Sequence, residues 1–227
     1  MIASLLPASV TVVEQFEDIP GEEPFPGEED LIAGAVEVRR REFVTARRCA
    51  RQALEQLGHA AAPLRSGPRR EPLWPPGIVG SITHCTGFRA AAVARRIDLA
   101  GLGIDAEPHA SLPAGVEASV AGPAERARLR ELEAAVPQTH WGRVLFSAKE
   151  SVYKAWYPLT GRRLGFEDAD LHIDPRAGSF RARLLVDGSR AGGGRPLTEI
   201  RGRFAVGRGL IVTAAQVHRR HGRTGSG

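Results

Sequence analysis

Leu99-AGLGIDAEPHA-Ser111 decides how the chain folds. Read with a period of two, Leu102, Ile104 and Ala106 fall on one face of a strand and Gly103, Asp105 and Glu107 on the other. The first face is core. The second carries two carboxylates one residue apart, which repel unless a cation lies between them. Pro108 has no backbone donor and ends the ladder, so the acids sit at the mouth of the strand, a common place for a ligand site on a sheet.

Upstream, Ile78–Cys85 and Arg89–Ile97 predict a hairpin turned at Thr86-Gly87, and residues 61–77, rich in Pro, Gly and Arg, predict a loop. From Val36 to Leu57 the apolar positions Phe43, Ala46, Ala50, Ala53, Leu54 and Leu57 recur at helical spacing, and Gly58 closes the run. Before it, Pro7, Pro20, Pro24 and Pro26 mark an irregular acidic segment. Downstream, a short helical segment is expected around Glu125–Glu133 and a long helix over Trp141–Tyr157, stopped by Pro158. Strands follow near 168–174, 179–187, 199–206 and 210–217. Each half thus offers a helix followed by antiparallel strands, and Phe43–Arg48 (FVTARR) faintly echoes Phe146–Glu150 (FSAKE).

The 227 residues are 42% hydrophobic, enough for a sizeable core. No apolar run approaches a membrane span, and the N-terminus lacks a basic signal region, so a cytoplasmic protein is expected. Cys49 and Cys85 have no disulfide or metal-type spacing and are expected in the core. Charge is unevenly placed. Residues 1–38 hold nine acids and no Lys, Arg or His, leaving 17 acids against 31 Lys and Arg in residues 39–227, a formal +14. Such a body attracts polyanions: nucleic acid, phosphorylated cofactors or an acidic protein. On the first helix, Arg39, Arg40, Arg47, Arg48 and Arg51 read equally well as a solvated basic face.

Only two of those 31 cations are lysines, Lys149 and Lys154, five residues apart, which marks both as candidates for chemistry. Glu150 and Lys154 are spaced i,i+4, the spacing of a simple helix salt bridge. Beside Asp105 and Glu107, Glu150 instead completes a set of three carboxylates suited to Mg²⁺, which favours oxygen ligands and keeps substrate phosphates beside them. Lys154 then reaches a phosphate held by the same metal. Arg39, Arg47, Arg69 and His84 supply contacts for further phosphates. The set reads as a Mg²⁺–pyrophosphate site.

Three motifs in order, Val79–Gly87 (VGSITHCTG), Gly103–Pro108 (GIDAEP) and Phe146–Trp156 (FSAKESVYKAW), resemble the Sfp-type 4′-phosphopantetheinyl transferases, especially the actinobacterial branch, over roughly residues 36–217. The resemblance implies an α+β pseudo-dimer of two similar halves, each a long helix on a small antiparallel sheet, with the active site between them. The halves would span 1–103 and 104–218, followed by a basic, disordered tail at 219–227. It implies Mg²⁺-dependent transfer of 4′-phosphopantetheine from coenzyme A to a serine of an apo carrier protein, acidic in character, of fatty-acid, polyketide or nonribosomal-peptide type including siderophore assembly. Asp105, Glu107 and Glu150 would hold the metal, and Glu150 or a metal-bound water would take the serine proton. Lys154 would contact the diphosphate, with Lys149 a further coenzyme-binding residue. Thr83 and His84 would meet the nucleotide phosphates, and Arg39, Arg47 and Arg69 would surround the 3′-phosphate and adenine. Gly101 and Gly103 would keep the face beside Asp105 open to ligand. The family's G-K-P loop is here Arg69–Pro72 (RREP), so Arg69 or Arg70 must replace its lysine. A monomer without nucleic-acid or membrane partners is expected. The rivals are a Mg²⁺-dependent nuclease, which lacks a Tyr-x-x-x-Asp pair because Tyr157 follows Tyr153, and a nucleic-acid-binding module, poorly served by 6% aromatics.

Overall fold

The computed structural model describes residues 1–219, so the expected tail lies outside the described residues apart from Arg219. Val10–Gln15 (β1), Ile78–Cys85 (β2) and Phe88–Arg95 (β3) form an antiparallel sheet in the order β1-β3-β2. Leu99–Pro108 (β4), Ala169–Asp174 (β5), Ser179–Leu184 (β6), Glu199–Gly207 (β7) and Leu210–His218 (β8) form a second, in the order β4-β8-β7-β6-β5. The helices are Glu37–Gln56 (α1), Val116–Val120 (α2), Pro123–Ala135 (α3) and Trp141–Thr160 (α4). α1 packs on the first sheet and α4 on the second, each 20 residues long, giving the expected α+β arrangement of two similar halves. From Gly101 to Pro108 β4 ladders with β8 without a break, so the expected 103/104 boundary falls inside a strand. Among the described residues no helix is long and apolar enough to cross a membrane.

Small side chains set the spacing of the first half. Cys49, Ala50 and Ala53 of α1 lie against Ala91 and Val93 of β3, closed by Leu54, Leu64 and Ile78. On the other side of β3, Phe88, Ala90, Ala92 and Ala94 join Leu102, Ile104 and Ala106 of β4 and Val212 and Ala214 of β8 in the core between the halves. The apolar face read from β4 is therefore the seam of the molecule. There β2 and β4 run side by side, joined by hydroxyls: the Ile104 N–H donates to Ser81 Oγ and the Ala106 N–H to Thr83 Oγ1, both at 3.0 Å.

Three local expectations are corrected. β1 lies in the segment read as irregular, because Pro7 and Pro20 flank the β-branched run without entering it, and Val10 to Gln15 pair with Ala94 to Arg89. α4 does not stop at Pro158 but ends at Thr160, capped by Gly161 at φ 66°. A proline in the last turn forfeits one helical bond with only a few residues still to come. Cys85 is half-buried at the end of β2, whereas Cys49 is in the core as expected.

The uneven charge closes on itself in three dimensions. Glu22 pairs with Arg48 at 2.6 Å, Glu28 with Arg51 at 2.8 Å, Asp30 with Arg65 at 2.6 Å and Asp18 with Arg89 at 2.8 Å. The acidic segment is a strap across the basic face of α1 and its neighbours. Glu28 is fully buried and also accepts the Leu64 N–H at 2.7 Å, tying strap, helix and loop together. Arg48 and Arg51 are thus internal counter-ions.

Candidate active site

Both glycines of β4 face α4, and the space beside them is occupied by the helix. A Cβ on Gly103 would lie 2.7 Å from Ala155 N and closer still to the Ser151 carbonyl, and one on Gly101 would lie 2.9 Å from the Ala155 carbonyl. The expectation that they hold a face open to ligand is corrected: they admit the backbone of α4. That close approach brings Glu150 and Lys154 to the strand carrying Asp105 and Glu107.

Lys154 Nζ donates to Asp105 Oδ1 at 2.7 Å and to the Ile104 carbonyl at 3.0 Å. Asp105 is 5% exposed, and its Oδ2 is buried without a partner. No ion pair joins Lys154 to Glu150 among the described residues, so their helical spacing serves the cleft and not a surface salt bridge. Burial pushes the Glu150 carboxyl up, with Lys154 pulling the other way and Asp105 adding to the rise. Glu107 is pushed up to about 7, first by burial and then by Asp105, against the pull of Arg143. Arg143 Nη1 donates to Glu107 Oε2 at 3.0 Å, while its Nε and Nη2 donate to the Ala110 and Ser111 carbonyls at 3.1 and 2.7 Å. Sequence reasoning missed Arg143, although it lies seven residues before Glu150, on the same helix face.

Across the seam, the first half contributes arginines. Arg47 stacks over Phe43 at 3.7 Å, donates to the Leu64 carbonyl and to Ser66 Oγ, and is lowered to about 10 by burial, so it stays charged at neutral pH. Arg39 reaches His84 Nε2, while Nδ1 lies 3.4 Å from Glu42. His84 is lowered to about 4 by burial, then by Arg39 and Lys154, and the ring is neutral at pH 7. Arg39, Arg47, Arg69, Arg70, His84, Glu150 and Lys154 line one cleft of about 240 Å³, with Trp74, Tyr153 and Tyr157 as its aromatic surfaces. Arg47, Arg69 and Arg70 form no ion pair among the described residues. Arg70 adopts φ 65°, a left-handed conformation that glycine takes more readily, and Glu71 folds back to accept the Arg69 N–H at 2.9 Å.

Thr83 and Lys149, also expected at the site, do not line that cleft. Thr83 is 3% exposed, and its hydroxyl accepts the Ala106 N–H and lies 3.4 Å from Asp105 Oδ1. It staples β2 to β4. Lys149 borders a neighbouring cleft shared with Arg69, Glu150 and Tyr153 and is 4% exposed, donating to Glu125 at 2.8 Å and to the carbonyls of Val120 and Phe166. All three of its donors are taken, and it anchors α4 to α2, α3 and the segment before β5.

As placed, no three Asp, Glu, His or Cys side chains among the described residues are grouped closely enough to hold a metal together. The chemistry of the donor set nonetheless suits a hard cation. Asp105 keeps a buried oxygen unpartnered, and Glu107 is held back from ionising by burial and by Asp105, two penalties a divalent cation relieves.

A model of the 4′-phosphopantetheinyl transferase N-terminal domain matches residues 27–94, and one of the 4′-phosphopantetheinyl transferase superfamily matches residues 101–192. The chain is 54% identical over 220 residues to the 4′-phosphopantetheinyl transferase Svp of Streptomyces mobaraensis, covering 96% of this chain and 89% of that one. It is 50% identical to PptT of Mycobacterium tuberculosis, with 94% and 96% covered, and 48% identical to Npt of Nocardia iowensis, with 94% and 98% covered. Enterobactin synthase component D of Escherichia coli (strain K12) is 34% identical over 119 residues, 52% of this chain and 54% of that protein. Neither the nuclease nor the nucleic-acid-binding alternative finds support among these relatives.

Proposed function

The chain belongs to the 4′-phosphopantetheinyl transferase superfamily, and from that premise we propose how its residues divide the work. It transfers 4′-phosphopantetheine from coenzyme A to a serine of an apo carrier protein. The observation that carries the assignment of the phosphate-binding residues is one cleft with arginines and His84 from one half and Glu150 and Lys154 from the other. An anionic, diphosphate-linked substrate fits such a pairing of walls.

In this reading Arg39, Arg47, Arg69 and His84 hold the nucleotide end and its 3′-phosphate. Asp105, Glu107 and Glu150 hold Mg²⁺, which when bound neutralises charge on the diphosphate oxygens. Lys154 steadies the diphosphate from the opposite side. The serine Oγ attacks the β-phosphorus, the bond from that phosphorus to the bridging oxygen breaks, and adenosine 3′,5′-bisphosphate leaves. Glu150, which lines the cleft one turn before Lys154, takes the serine proton. Carriers served are acidic domains of fatty-acid, polyketide and nonribosomal-peptide synthesis, and the likeness to enterobactin synthase component D extends the range to siderophore assembly. The protein works as a cytoplasmic monomer, since its two halves already enclose the cleft.

The test is the mass of an apo carrier protein after incubation with coenzyme A, with Mg²⁺ or with a chelator. Gain of the phosphopantetheine mass with Mg²⁺ and none with the chelator is expected. Equal gain in both would remove the metal from the mechanism.

A further inference from the structure

The carboxylates of β4 are each met by a cation of α4, and the two cations are held differently. Arg143 is pinned at three points, by Glu107 and by the carbonyls of Ala110 and Ser111, and its side chain is 14% exposed. Among the described residues Lys154 is held only by Asp105 and the Ile104 carbonyl, its side chain is 28% exposed, and it borders the cleft on a flexible four-carbon stem. Asp105 has one oxygen on Lys154 and the other buried and bare. A buried carboxylate left without a counter-charge is costly, so in the free enzyme Lys154 supplies the charge that Asp105 requires.

Resting on the reading of Asp105 as a metal ligand, we propose that Lys154 is the resident counter-ion of Asp105 and couples the loading of cation and diphosphate. An ammonium 2.7 Å from Oδ1 repels a dication at the same carboxylate. Lys154 therefore keeps the site closed to metal alone. When the diphosphate of coenzyme A enters, it offers the ammonium a second anion in the same cleft, and Lys154 transfers its hydrogen bond from Asp105 to phosphate as the carboxylate takes the metal. Neither ligand fills the site well without the other, and their binding is reciprocally linked. The lysine thus has two roles in sequence, counter-ion first and substrate contact second. Arg143 stays on Glu107 throughout.

The inference is tested with Mn²⁺ as a paramagnetic probe of the full-length enzyme, by electron paramagnetic resonance with and without coenzyme A. In the parent, coenzyme A should tighten Mn²⁺ at least tenfold. In Lys154→Gln, Mn²⁺ should bind the coenzyme-free protein about tenfold more tightly than in the parent, and the tightening by coenzyme A should shrink to what the direct attraction of cation and diphosphate supplies, while transfer activity falls. Lys154→Met repeats the measurement without the residual amide, and the gain in melting temperature on adding Mn²⁺ gives a second readout for either variant. Unchanged or weaker Mn²⁺ binding by folded Lys154→Gln would overturn the proposal. Asp105→Asn separates the two levels: if it also loses Mn²⁺, the metal site stands and only the counter-ion role has failed. If it binds Mn²⁺ as the parent does, the metal assignment itself has failed and takes the proposal with it.

Discussion

Gly103→Ala adds one methyl group where the fold leaves no space for it. The new Cβ would lie 2.7 Å from Ala155 N and nearer to the Ser151 carbonyl, both backbone atoms of α4 that no side-chain rotation can move aside. Carbon contacts settle near 3.5 Å, so strand and helix must separate by at least about 1 Å. Overpacking of this kind costs about 1–3 kcal/mol, and for a chain of this length each kcal/mol lowers Tm by roughly 2–4 °C. A fall of roughly 2–12 °C in calorimetry is expected on those figures. The functional loss should be larger in proportion. The same 1 Å displacement carries Glu150 and Lys154 away from Asp105 and stretches the 2.7 Å Lys154–Asp105 contact beyond hydrogen-bond range. A shift of ~1 Å in a reacting group costs on the order of a hundredfold in rate. Transfer to carrier protein, followed by intact mass at saturating coenzyme A, should slow by about that factor. If Gly103→Ala kept the parent Tm and the parent kcat, the helix would not be fixed by this contact and the reasoning would be wrong.

His84 titrates near its ordinary 6.5 in the unfolded chain and near 4 in the fold, so the stability it contributes is present above 6.5 and lost as pH falls toward 4. His84→Asn should therefore flatten the parent's decline in Tm across that window, and parallel pH curves would refute the assignment. Lys149→Met should destabilise by about 3–5 kcal/mol in denaturant, because it leaves Glu125 buried without its partner, while coenzyme A affinity of the folded protein is unchanged. Weakened coenzyme binding without loss of stability would return Lys149 to the ligand site. Raising salt should increase the KM for an acidic carrier protein through slower association, measured at saturating coenzyme A, and no change would remove electrostatic docking.

Much of this molecule was legible because its decisive signals are periodic. The alternation around Ile104 and Asp105 located the seam and the acids, and helical spacing placed Glu150 and Lys154 on one face of α4. What escaped were features that depend on partners distant in sequence. Gly103 looks like an open face in the chain and proves to be a slot for a helix some 50 residues later. Lys149 and Lys154 are equally rare lysines on one helix, and only the elements packed on either side separate an anchor from a site residue. The acidic segment and the arginines of α1 read as a charge imbalance, although they are two halves of one ion-pair network. Thr83 sits within a motif that points to phosphate, yet its hydroxyl goes to a strand that pairs with a different sheet.

The central claim is that Asp105, Glu107 and Glu150 act together on the diphosphate at the seam between the halves. Its most direct test is the rate of phosphopantetheine transfer by Asp105→Asn, Glu107→Gln and Glu150→Gln, each isosteric and each checked for folding and coenzyme A binding. All three should keep a Tm near that of the parent and bind coenzyme A more weakly, as the linkage of metal and diphosphate requires, while kcat at saturating coenzyme A falls by about a hundredfold or more, the loss of roughly 3 kcal/mol of transition-state stabilisation. A folded variant of any of the three that transfers within about threefold of the parent rate, a difference below roughly 1 kcal/mol, would contradict it.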